Sequence, residues 1–276
     1  MNTVYIPSLT TPEGSALIAE DWERIGIHIV SYDLPMLLAK PGLDVLKQIP
    51  LLSRYVGWQG QLVLNASHLQ QNHQGLYTMR SPYDGRVQRF SAEMILAFIK
   101  TLQPDILVLA TGMFKQIDES LSEAMQIIIP YDDVFAMNHT NLYAGILLAF
   151  DETTEKLTDL MIKQEKIAHL NTPCYLSGSF SLQLHQQLKN IGFMWIESNR
   201  PAQDAVNGIV YCEHEVKSIQ DLSMATAFEP LDDKCQCVAC QSQLTRAYLH
   251  HLYVNTPALC QRFLIQHNVN YYKCLS

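Results

Sequence analysis

The chain is short of positive charge. Its 276 residues carry 19 Lys and Arg against 27 Asp and Glu, a formal net charge of −8. A surface that follows a phosphate backbone needs clustered basic side chains, because these release its counterions. Here they are dispersed, and from Cys235 onward the basic residues are Arg246, Arg262 and Lys273. Nucleic acid is therefore a disfavoured partner. No run approaches the ~20 apolar residues of a membrane span. The start, Met1-Asn2-Thr3-Val4-Tyr5, lacks a basic region followed by a long apolar run, so no signal peptide is expected and the chain is placed in the cytoplasm. A phosphate-binding loop is missing too. Gly57-Trp58-Gln59-Gly60 has two glycines but no following Lys-Ser or Lys-Thr pair, and reads as a turn. The nearest approach to a Gly-x-Ser-x-Gly nucleophile elbow, Ser177-Gly178-Ser179-Phe180, lacks the first glycine. There are no internal repeats or low-complexity tracts.

What is present is ample apolar material, 48% of the chain, enough for one large core. Short β-rich runs alternate with helical patterns, which predicts βα units around a parallel sheet. The candidate strands are Val4–Pro7, Ile27–Tyr32, Gln61–Leu64, Ile106–Ala110, Gln126–Pro130, Ala144–Phe150, Cys174–Ser177 and Met194–Glu197. Eight in series predict an α/β fold of the (β/α)8, TIM-like barrel type. Thr11-Pro12-Glu13 places proline in a first helical turn, and Ser91-Ala92-Glu93-Met94 caps the run Ile95–Leu102. Tyr83-Asp84-Gly85 reads as a hairpin turn between Leu76–Arg80 and Arg86–Phe90. Between the fifth and sixth strands lie only Tyr131–Tyr143, barely enough for a parallel crossover. The barrel is expected to be irregular or incomplete there. Residues 1–212 would form the barrel and 213–276 an appended subdomain.

Seven cysteines are an odd number. Cys174, Cys212, Cys260 and Cys274 are scattered, as befits reduced thiols. Cys235-x-Cys237-x2-Cys240 is clustered, and three thiolates with one imidazole close a four-ligand shell suited to structural zinc. His250, His251 and His267 compete for the fourth place. The first two are adjacent, so on a helix they point to different faces.

The C-terminal stretch carries a resemblance. Thr245-Arg246-Ala247-Tyr248-Leu249-His250-His251-Leu252, and then His267-Asn268-Val269-Asn270-Tyr271-Tyr272, resemble the tRNA-guanine transglycosylases. Asp33-Leu34-Pro35 with Lys40-Pro41-Gly42 is similar to that family's segment after the second strand. Pro201-Ala202-Gln203-Asp204-Ala205-Val206-Asn207-Gly208 looks like its Pro-Thr-Arg-Asn-Ala-Arg-Asn-Gly. The resemblance implies a zinc-bearing barrel and selects His267 as fourth ligand beside Cys235, Cys237 and Cys240. It also implies exchange of a tRNA base at the C-terminal ends of the strands, through one nucleophilic, one proton-shuttling and one base-reading Asp. Family enzymes continue past the Tyr-Tyr pair, whereas this sequence stops at Ser276.

The implied carboxylates are altered. Asn65-Ala66-Ser67-His68-Leu69-Gln70 stands where the resemblance places Asp-Ser-Gly-Gly-Phe-Gln, and Asn cannot return a proton as a carboxylate does. Thr111 stands at the base-reading position and Glu197 at the nucleophile position, one methylene longer than Asp. Glu197 is expected instead to be a solvated strand-end carboxylate or a partner for Arg200. Gly145-Ile146 aligns with a Gly-Gly pair, where Ile146 would crowd a flat base. Together these changes lead to the expectation of a protein that is not an enzyme. It would be a scaffold or partner subunit, in a homodimer or with another protein. The alternative is an enzyme, or a tRNA-binding protein, acting on a nucleoside or nucleic acid with Glu197 as nucleophile.

Overall fold

All eight strand expectations are met. A computed structural model describes residues 3–136, 142–212 and 215–275. The barrel strands are β1 (Val4–Ile6), β2 (Ile29–Asp33), β3 (Gln61–Asn65), β4 (Ile106–Val108), β5 (Gln126–Pro130), β6 (Gly145–Asp151), β7 (Cys174–Ser179) and β8 (Trp195–Glu197). They pair in parallel, each with its neighbours in sequence, and β8 pairs back onto β1 with Tyr5 opposite Ile196. The ring closes between β1 and β2 through a single bridge. Leu9 and Ser31, and Ser31 and Pro7, exchange N–H···O bonds of 2.8 and 2.9 Å. That seam had no sequence signal.

The period of two sorts side chains between two layers. Ile29, Val63, Val108, Ile128, Leu147, Tyr175 and Trp195 point inward and form the barrel's internal core. Val30, Leu62, Leu64, Ile127, Leu148, Leu176 and Ile196 alternate with them and pack against the surrounding helices. Further along the same face, two residues beyond Val63, Tyr175 and Trp195 and four beyond Ile29, the C-terminal rim carries the polar residues Asn65, Ser177, Glu197 and Asp33.

The irregular fifth unit is observed in the helical layer. β5 and β6 remain paired, Ile129 beside Ile146, but a four-residue helix, Tyr131–Val134, replaces a full crossover helix. Residues 137–141 of that unit lie outside the described residues. The helix expected from Pro12 is only a 3-10 turn, Gly14–Ala16, and the α-helix begins at Ala19. Thr11 caps the turn by accepting from Gly14 N–H at 3.0 Å. Gly14 packs so tightly that an added Cβ would lie 2.0 Å from the Ser8 carbonyl oxygen, and Leu17 then turns extended. Ser91 caps the helix Ala92–Leu102 as expected, accepting from Met94 N–H at 3.2 Å. The hairpin Tyr77–Arg80/Val87–Phe90 gains a third short strand, Gln70–Gln71. No helix among the described residues is long and apolar enough to cross a membrane.

The chain then forms an antiparallel hairpin, Ile209–Cys212 with Glu215–Ser218, which crosses residue 212. The long helix Pro257–Leu275 ties the C-terminal region to the barrel. Arg262 pairs with Asp21 at 2.8 Å, Lys273 donates to the Ile25 carbonyl, and Tyr272 O–H donates to the Phe180 carbonyl at 3.1 Å. Asn268, fully buried, accepts from Tyr211 N–H and donates to the Pro201 and Ile209 carbonyls. Tyr272 also packs edge-on against Tyr5, so this tyrosine seals the helix to the barrel.

Candidate active site and metal centre

The metal centre assembles from a short loop and one helix face. Cys235, Cys237 and Cys240 Sγ and a ring nitrogen of His267 lie within 4.8 Å of one another, and all four residues are buried. His267 presents Nδ1 to the sulfurs, 3.5 Å from Cys237 and 3.4 Å from Cys240. Its Nε2–H donates to the Tyr211 carbonyl at 2.6 Å, which fixes the tautomer a Nδ1 ligand requires. The cluster does not ionise evenly: Cys235 and Cys237 push the Cys240 thiol up, while hydrogen bonds from Cys237 and Cys240 and the nearby His267 hold Cys235 down. A divalent cation removes that imbalance, and a closed shell of three sulfurs and one nitrogen leaves it no place for catalytic water. The rival histidines turn elsewhere: His250 Nδ1 bonds the Ile219 carbonyl at 2.7 Å, and His251 faces Asn255.

The second constellation stands at the C-terminal rim of the barrel. Glu197 ends β8 and is buried to 5% exposure. Its Oε2 accepts from Asn65 Nδ2 at 2.7 Å, Tyr175 O–H at 3.1 Å and Ser177 O–H at 3.2 Å. Burial raises its pKa, while Ser31, Asn65, His68 and Tyr175 pull it back. Neither expectation for Glu197 as an incidental residue holds. It is not solvated, and Arg200 pairs instead with Asp204 at 2.8 Å and Glu152 at 3.0 Å.

Asn65 is locked by its neighbours. Its Oδ1 accepts from the N–H and O–H of Ser67, so its Nδ2 must face Glu197. His68 follows on the same loop. Its Nδ1 bonds Asp33 Oδ2, and Asp33 Oδ1 accepts from Met36 N–H at 2.9 Å. The bond to Asp33 raises the His68 pKa against the opposing effect of burial. Asp33 sits beside Asn65 in the β2–β3 register, so the pair stands at the same level as Glu197.

Two adjoining cavities open onto these groups. One of about 620 Å3 is lined by Asp33, Met36, His68, Ser177, Glu197 and Ser198. The other, about 390 Å3, is lined by His68, Thr111, Tyr131, Asp132, Phe150 and Ser177 among others. Ser67 and His68 border this space without closing it. The expected obstruction by Ile146 is absent. Ile146 lies at the N-terminal end of β6, faces outward and packs in the outer core, so it was matched to the wrong end of the strand. Thr111 does stand at the rim, its carbonyl held by Tyr77 O–H at 3.1 Å. On the short helix after β5, Asp133 accepts from Gly112 N–H at 2.9 Å.

The arrangement has the form of a barrel enzyme with a buried carboxylate facing an open mouth and a separate structural metal clamp. The family model of queuine tRNA-ribosyltransferase matches residues 2–129 and 132–276, so the chain belongs to that family. Relatives named queuine tRNA-ribosyltransferase include those of Blochmanniella pennsylvanica, 22% identical over 98% of this chain and 85% of theirs, and Dictyoglomus turgidum, 21% identical over 97% and 80%. That of Lawsonia intracellularis is 23% identical over 98% and 84%. The Cys3His group is typical of this family's zinc site, so the cofactor is structural zinc. Membership in a family of transferases overturns the expectation that the chain is not an enzyme. That expectation added the altered rim residues up as independent losses, whereas Asn65 and Glu197 are hydrogen-bonded to each other.

Proposed function

We propose that the chain is a base-exchanging ribosyl transferase of its family, acting on a nucleoside within a nucleic acid with Glu197 as nucleophile. One observation carries this reading: Glu197 is held through Oε2 by three donors at the end of β8, on the wall of a cavity of about 620 Å3. A carboxylate so fixed can attack an anomeric carbon and form a glycosyl ester, dividing one difficult displacement into two. Thr111 lies on the adjoining wall, where it offers a hydroxyl to the base. The net charge of −8 opposes a nucleic-acid surface on this chain alone. We therefore infer a protein partner or a second copy that completes the contact, in the cytoplasm. Residues 213–276 are read as a subdomain on a barrel of residues 1–212, clamped by zinc on Cys235, Cys237, Cys240 and His267.

The test is incubation with unmodified transfer-RNA transcripts and labelled guanine, followed by denaturation and peptide mass analysis. The expected result is a ribosyl ester on the peptide holding Glu197, with label entering the RNA. Glu197→Gln abolishes both. Exchange that survives Glu197→Gln would refute the assignment.

A further inference from the structure

Asn65 leaves the rim without a proton carrier at the place where the family motif puts one. Its amide is committed on both sides, Nδ2 to Glu197 and Oδ1 to Ser67, and an amide does not exchange protons near neutrality. Three residues further along the same loop, His68 borders both cavities, with 65% of its side chain exposed. Asp33 takes Nδ1 and is itself fixed by Met36 N–H, which leaves Nε2 as the nitrogen able to serve a ligand. A carboxylate that orients an imidazole, beside a buried nucleophile, is the geometry of general acid–base catalysis.

We propose that His68 is the catalytic acid and base of this site and Asp33 its positioning residue. This rests on the role given to Glu197 above. In the first step a Glu197 carboxylate oxygen bonds to the anomeric carbon as the carbon–nitrogen bond to the base breaks. The electron pair goes to the base, and His68 Nε2 gives a proton to a ring nitrogen, so the base leaves neutral. In the second step an entering nucleobase gives its ring N–H proton to His68 as its nitrogen attacks the anomeric carbon. The ester bond breaks and the carboxylate returns. Charge and protons balance over the cycle, and nothing is oxidised. The same cation favours the ionised nucleophile, since His68 lowers the pKa that burial raises at Glu197.

The test compares single-turnover base release from one transfer-RNA transcript, unmodified or methylated at guanine N7. A methylated base is already cationic and leaves without a donated proton. His68→Gln is expected to slow release from unmodified RNA by about a hundredfold or more, and from methylated RNA by less than about threefold. Asp33→Asn is expected to move the alkaline limb of the rate profile to lower pH, because it removes the carboxylate that raises the His68 pKa. Glu13, Asp132, Asp151, Glu155, Lys163 and Glu197 also stand on the cavity walls and are unchanged in both variants, so their titration cancels against wild type. Equal slowing on both RNAs, no slowing on unmodified RNA, or an unmoved limb in Asp33→Asn would overturn the pair's role and leave Glu197 in place. If wild type releases base from neither RNA and forms no ester at Glu197, the Glu197 reading falls and the pair's role with it.

Discussion

Asn65→Asp restores the carboxylate that the family motif carries, and the structure makes it harmful. Asn65 Nδ2 stands 2.7 Å from Glu197 Oε2. The substitution replaces this donor with a second acceptor. Two charges at that separation repel by about 6 kcal/mol at an effective dielectric of ~20, so both carboxylates do not ionise together. One keeps a proton instead, as in an aspartic dyad. Holding an Asp of unfolded pKa ~3.9 protonated at pH 7 costs about 4 kcal/mol, and proton retention caps the penalty there. Glu197 is already shifted upward in the wild type, which lowers the difference, so about 2–4 kcal/mol is expected at pH 7. The sign follows from the direction of the shift. A carboxyl whose folded pKa is raised binds more protons folded than unfolded, so its contribution falls as pH rises above the unfolded value. The variant should therefore match wild type to within about 1 kcal/mol near pH 4.5 and diverge steadily towards pH 8. For a chain of this size that is a loss of roughly 5–15 °C in Tm at neutral pH. Paired thermal melts across the pH range measure it. A variant as stable as wild type at pH 8, or equally destabilised at every pH, would refute the claim that Asn65 serves Glu197 as a donor.

Three further outcomes are expected. The purified chain should hold one zinc by elemental analysis, and Cys237→Ser should lose it together with at least about 3 kcal/mol of stability, read as a lower denaturation midpoint. Asn268→Ala removes a fully buried amide that holds Tyr211 N–H and two carbonyls. It should cost about 2–4 kcal/mol, and because Tyr211 also receives Nε2–H from His267, zinc affinity measured by chelator competition should fall about tenfold or more. Arg200→Met breaks the pairs with Glu152 and Asp204 but leaves Glu197 untouched, so ester formation at Glu197 should persist despite lower stability.

The barrel was legible because parallel strands covered on both faces read as apolar runs, and the alternation of Val63 with Leu62 and Leu64 holds whatever surrounds them. The cysteine cluster was legible because its spacing is short and local. The seam between β1 and β2 was not, since it consists of backbone bonds from Leu9 and Ser31 that no side chain announces. The 3-10 turn at Gly14 depends on close approach to Ser8, a contact between segments. Ile146 was misplaced because an alignment of glycines ignores which end of a parallel strand faces the site.

The rim shows a deeper limit. The sequence displays Asn65, His68, Asp33 and Glu197 as four separate positions, and Asn65 and Glu197 there look like departures from the family's carboxylates. Their meaning lies in pairs that join β2 to the loop after β3, and β3 to β8. The period of two could have found them. Counting two residues on from the inward Val63 and Trp195 reaches Asn65 and Glu197, and counting four from Ile29 reaches Asp33, all on one face and at one end. Once the positions share a wall, an amide opposite a carboxylate becomes a donor, and a histidine opposite Asp33 becomes an oriented imidazole, the proton carrier we propose. On the proposed reading, the substitutions at 65 and 68 divide the labour anew: Asn65 steadies Glu197, and proton transfer passes to His68, three residues along the same loop.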